Sequence, residues 1–178
     1  PAPTVLIIPP KPAPPEGGER PFPETGITPR LRQVSNVPTS GAIAFLDSAA
    51  EKTKIRYVER ATGHIFETSA EDYRTDRISN TTVPKVYEAY FVEGGGGVIM
   101  RLLNEDGVTI ESFYGALSPP REGADAAREP KELDGVFLSD NITSLAVSPD
   151  TEEIAYVERR MDSTSALVRA SPDGKTRR

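Results

Sequence analysis

From about residue 42 onward, short apolar runs alternate with polar clusters rich in turn-forming residues, and the pattern is that of strands. One phrase is written twice: Ile55-Arg56-Tyr57-Val58-Glu59-Arg60 returns as Ile154-Ala155-Tyr156-Val157-Glu158-Arg159. A second pair, Leu31-Arg32-Gln33-Val34-Ser35-Asn36-Val37-Pro38 and Thr75-Asp76-Arg77-Ile78-Ser79-Asn80-Thr81-Thr82-Val83-Pro84, sets a step of 44 residues from Ser35 to Ser79. Restatement at a wide, regular interval predicts an array of similar units rather than one irregular sheet.

That step divides the chain into three units. The first has expected strands near 42–46, 54–59, 64–69 and 75–79. The second has them near 86–92, 98–103, 108–114 and 135–138. The third has them near 142–147, 153–159 and 165–170, and Gly174–Arg178 reads as the opening of a fourth strand matching Asp76-Arg77. Asn104-Glu105-Asp106-Gly107 and Ser171-Pro172-Asp173-Gly174 put Asp-Gly where a hairpin needs positive φ. Ser148-Pro149-Asp150-Thr151 and the tetraglycine Gly94–Gly97 are expected at the first turns of units three and two, the glycines as a floppy tip. The only helix-compatible stretch, Glu122–Glu132 between Pro120 and Pro130, reads as an inserted loop.

Polarity rises outward within each unit. First and second strands are apolar on both faces (Ala44-Phe45-Leu46, Val98-Ile99-Met100, Leu145-Ala146-Val147), whereas the fourth is polar, as in Thr75-Asp76-Arg77. A half-buried sheet shows simple alternation. Stacked four-stranded blades bury both faces of their inner strands and wet the outer one. The expected fold class is therefore all-β: a partial β-propeller of about three four-stranded antiparallel blades, near 41–80, 84–139 and 141–178. Strand 31–36 is the expected ring-closing outer strand, and 1–30 a separate linker or tether. Eleven of 17 prolines lie at or before Pro38, and Pro9-Pro10-Lys11-Pro12-Ala13-Pro14-Pro15 favours an extended polyproline spacer.

The succession of apolar strand, Ser148-Pro149-Asp150, Ile154-Ala155-Tyr156-Val157 strand and Ser171-Pro172-Asp173-Gly174 resembles the TolB-like (WD40-like) β-propeller repeat. The resemblance is good over 142–178 and weaker over 31–117. It implies a propeller used either as a periplasmic or cell-envelope scaffold or as the substrate-gating domain of a prolyl-oligopeptidase-like hydrolase. No G-x-S-x-G of the hydrolase half occurs in these 178 residues.

Three blades do not close a ring, which takes at least about four. Each open end leaves a face on the order of 400 Å², forgoing roughly 10 kcal/mol at about 25 cal/mol/Å². Missing blades are therefore expected from the rest of a longer chain or from another copy.

The formal charge of −6 and a pI near 5.0 argue against nucleic acid and anionic lipid as partners. With no cysteine, thiolate catalysis and zinc–thiolate sites are excluded. No apolar run approaches a membrane span, so no membrane insertion is expected, although an upstream anchor fits the tether reading. His64, the single histidine, reads as a solvent-facing turn residue, and the recurrent Glu59-Arg60 and Glu158-Arg159 as a repeated ion pair or strand-end cap. No catalytic, cofactor or metal residues are expected. First strands line the channel of a propeller, which leaves Tyr87 and Tyr90 as the candidate partner-binding residues. The reading is an exported, non-catalytic scaffold for a protein or peptide.

Overall fold

The computed structural model describes residues 31–48, 51–71, 74–117, 130–149 and 152–178. The proline-rich segment, the Glu122–Glu132 insert up to 129, and Asp150-Thr151 lie outside the described residues. Gln33–Arg178 forms a compact unit, and its described secondary structure is strand apart from one 3₁₀ turn at Glu93–Gly95. Eleven strands make three antiparallel sheets. The first joins β1 (Thr39–Asp47), β2 (Lys52–Glu59), β3 (Ile65–Ser69) and β4 (Thr75–Arg77). The second joins β5 (Val86–Val92), β6 (Gly97–Leu103), β7 (Ile110–Ala116) and β8 (Asp134–Phe137). The third joins β9 (Ile142–Val147), β10 (Ile154–Arg159) and β11 (Ser165–Ala170). Within every sheet, consecutive strands are neighbours.

The sheets share one register. In each, the first strand carries an irregularity near its start, between Thr39 and Gly41, Val86 and Glu88, and opposite Val157/Glu158 between Ser144 and Ile142. Aligning these irregularities makes Tyr57, Met100 and Tyr156 equivalent, and likewise Val58, Arg101 and Val157. Facing follows the alignment. Val98, Met100 and their neighbours pack with Val58 and Ile65 of the first sheet, while Ile154 and Tyr156 pack with Ile99 and Tyr114 of the second. Each sheet thus turns the Tyr57-equivalent side toward its predecessor and the Val58-equivalent side toward its successor.

Among the described residues, only the middle sheet has a neighbouring sheet on both sides. β6 is buried without interruption from Gly97 to Arg101, whereas β1 and β9 alternate. The expectation of doubly apolar burial for every first strand is corrected accordingly. Alanines and leucines on the end sheets meet no further sheet among the described residues. On the third sheet, Leu167 is 78% exposed although its register equivalents Ile65 and Ser112 are 0% and 1%.

Local chemistry explains the turns. At Ser171-Pro172-Asp173-Gly174 the Gly174 N–H donates to Ser171 O at 2.9 Å, with Gly174 at φ +70°. Ser171 Oγ donates to Asp173 Oδ1 at 2.6 Å, and the Lys175 N–H reaches the same oxygen at 3.2 Å. Asp106 plays the same part at Asn104–Gly107, accepting from the N–H groups of Val108 and Thr109, both at 2.8 Å. The Ser171 hydroxyl, then Lys175, hold the Asp173 carboxyl at about 2. A depressed carboxylate contributes stability above its unfolded value near 4 that is lost as pH falls toward about 2. Carboxyl-carbon NMR should show Asp173 titrating near 2 and moving upward in Ser171→Ala; a midpoint near 4 in the parent would refute the turn's electrostatics.

The opening of a fourth strand in the third sheet is present as a single pair. The Arg178 N–H donates to Arg169 O at 2.8 Å and the Arg169 N–H to Arg178 O at 3.1 Å, the register that Asp76 has with Glu67. Two expectations change. Residues 31–36 form no strand: Ser35 Oγ closes on Val37, donating to its carbonyl at 2.8 Å and accepting its N–H at 3.1 Å, a local turn that competes with pairing. The tetraglycine does make the first turn of its sheet, but not as a floppy tip. Gly95 is buried, its φ is +94°, and a Cβ there would lie 3.1 Å from the Phe45 ring of the neighbouring sheet.

Candidate functional site

A strand bulge leaves one residue outside the ladder, with backbone groups that need other partners. Here those partners come from the preceding sheet. Ser40 Oγ donates to Val86 O at 2.6 Å, joining the first sheet to the second. Arg101 Nη2 donates to Ile142 O at 2.7 Å and to Thr143 O at 3.3 Å, joining the second to the third. A further link, Arg56 Nη1 to Gly95 O at 2.6 Å, anchors the tetraglycine turn.

Arg101 is 3% exposed and stands where the other sheets have valine. Its Nη1 donates to Glu88 Oε2 at 2.5 Å, and its guanidinium carbon lies 5.5 Å from the centre of the Tyr87 ring, close enough for a cation–π attraction. Tyr87 is the bulged residue of β5 and Tyr90 lies three residues on; both are half-buried. Burial raises both hydroxyls above their ordinary range. Arg101 opposes that rise at Tyr87, and Glu88 adds to it at Tyr90.

Three buried side-chain polar atoms lack a hydrogen-bond partner among the described residues: Tyr87 Oη, Arg101 Nε and Ser112 Oγ. They belong to one neighbourhood, because Ser112 is Arg101's partner in the β6–β7 ladder and Tyr87 stacks on Arg101. Native proteins rarely leave buried polar atoms unmet, so such a cluster marks a place for water or a ligand.

The structure thus brings Tyr87 and Tyr90 together around two residues that sequence reasoning passed over, Arg101 and Glu88. A signal was present. Arg101 is the one charge inside the apolar run from Val98 to Leu103. Its significance needed the bulge register, because the second unit barely matches the others letter by letter.

The other candidates fall elsewhere. His64 is half-buried rather than solvent-facing, with Nε2 3.2 Å from Thr82 Oγ1. Glu59 and Glu158 do not repeat an ion pair. Glu59 accepts from Thr62 Oγ1 at 2.5 Å, whereas Glu158 lies 3.9 Å from Arg177; what they share is a place opposite the irregularity. Tyr57 and Tyr156 occupy matching settings: both are buried, and burial raises both hydroxyls, opposed by Ser35 at Tyr57 and by Arg177 at Tyr156. Among the described residues no three metal-type side chains converge, and no helix is long and apolar enough to cross a membrane. No family model, curated protein or solved structure matches the chain.

Proposed function

We propose that the chain is a non-catalytic binding module, a run of propeller-type blades of the TolB-like kind carried on the proline-rich segment 1–30. It is read as exported or surface-tethered, and it engages a protein or peptide at Tyr87 and Tyr90. The blade reading is supported by the shared bulge register and by the constant order of facing across three sheets. The binding reading is carried by one observation: the unmet Tyr87 hydroxyl, on a half-buried tyrosine pair beside Arg101. A peptide main chain offers the donors and acceptors this hydroxyl lacks, and tyrosine supplies contact area at low entropic cost.

The test is a screen of displayed peptides followed by calorimetry on a selected binder. Tyr87→Phe removes only the unpaired oxygen, so the free chain should be as stable as the parent while affinity falls about fivefold to tenfold. Tyr90→Ala should weaken binding and His64→Ala should not. Parent-like affinity in both tyrosine variants would remove the site.

A further inference from the structure

We propose that two copies of this chain associate head to tail, the uncovered face of the third sheet in each packing on the β1 side of the first sheet in the other. The proposal rests on the blade-stacking reading above and adds the occupant of the open face.

The chain carries both halves of a contact that it already makes twice. The successor side of the first sheet, with Val58 and Ile65 fully buried, receives the second sheet. The successor side of the second, with Ile99 fully buried, receives the third. The successor side of the third sheet has the same construction, yet Ala146, Ala155 and Leu167 are all exposed. What it lacks is a predecessor side like that of β9–β10, which presents Leu145, Ile154 and Tyr156.

The first sheet has such a side. Ala42, Ile55 and Tyr57 sit at the register positions of Leu145, Ile154 and Tyr156. Tyr57 is already covered, stacked on Phe66 with ring centres 5.4 Å apart. The β1 part is open: Ala42 and Ala44 are exposed and Leu46 is 66% exposed.

One such contact joins unlike surfaces, and it must either propagate or close. Two copies close it with a twofold axis and six sheets, inside the range of about four to eight for rings of this type. At about 400 Å² for each of four faces, the two contacts bury about 1,600 Å², the size of an ordinary stable interface.

The test uses the 178-residue chain, whose lack of cysteine makes single-cysteine variants clean. Sedimentation should give about twice 19.3 kDa. Leu167→Glu, at a position exposed within one copy, should give a monomer with an unchanged circular dichroism spectrum. Between the first two sheets Gly41 faces Ala89; between the second and third the register equivalents, Glu88 and Leu145, both carry side chains, as do those across the proposed contact. The equivalent residues across the proposed contact are Ser144 and Ala42. A mixture of Ser144→Cys and Ala42→Cys should therefore cross-link to a mixed disulfide dimer, and neither variant alone should.

A monomer at every concentration, or cross-linking of either variant with itself, overturns the proposal. An intrachain control, Glu88→Cys with Leu145→Cys, tests the same register between the second and third sheets. If it closes while the mixture does not, the stack stands and the second copy is wrong. If neither closes, the blade reading fails as well.

Discussion

Arg101→Ala is expected to lower the unfolding free energy by about 3–4 kcal/mol, read from urea denaturation followed by far-ultraviolet circular dichroism. The size follows from what the side chain touches. It fills a fully buried position between two sheets and supplies the side-chain donor to the Ile142 and Thr143 carbonyls. Orphaning the buried Ile142 acceptor costs about 1–3 kcal/mol, and the cavity adds a comparable amount. Glu88 contributes little to the loss, because its side chain is 42% exposed and water can solvate its charge in place of the guanidinium. Arg101→Met separates the two terms: it restores much of the volume and should leave about 1–3 kcal/mol of loss. A loss below about 1 kcal/mol in the alanine variant, the range of exposed ion pairs, would mean that the sheets are held by packing alone.

Gly41→Val should be as damaging, by about 3 kcal/mol or more, through crowding rather than loss. A Cβ on Gly41 would lie 2.0 Å from the Ala89 carbonyl oxygen, which is main chain and cannot rotate away. The first and second sheets would have to separate along β1 and β5, forfeiting contacts that bury Val58, Val86 and Ala89. Gly94→Ala is the matched control. Its φ of +58° strains any side chain, but nothing lies within 4 Å of the added carbon. Its cost should stay at about 1–2 kcal/mol, the left-handed backbone penalty alone. The reverse order would place the close approach of the two sheets in error. Both variants act on neighbouring interfaces of the same middle sheet, so combining Gly41→Val with Arg101→Ala should unfold the chain outright.

The strands were legible because their information is local. Alternation, aspartate–glycine turns and the repeated Ile-x-Tyr-Val-Glu-Arg phrase placed all eleven within a few residues. They also marked Gly174–Arg178 as the opening of a fourth strand, and Arg178 makes the one pair found there. Tyr87 and Tyr90 could be named from their strand. Their neighbours Arg101 and Glu88 could not, because which cross-strand residues meet depends on the bulge in β5, and the sequence around it carries no glycine to mark it. The tetraglycine misled for a related reason. Four glycines in isolation are flexible, and only the Phe45 ring and the Arg56 guanidinium from the next sheet make them a buried turn.

Sequence by itself determined that this chain is an all-β array of three like units, since strand period, turn chemistry and repeat spacing are properties of short segments. The tertiary structure decided which sides of those units are covered. Burial of a sheet face depends on a second sheet whose residues lie some forty positions away. It also turned a lone arginine in an apolar strand into the staple between two sheets, because the carbonyls it satisfies come from a different unit.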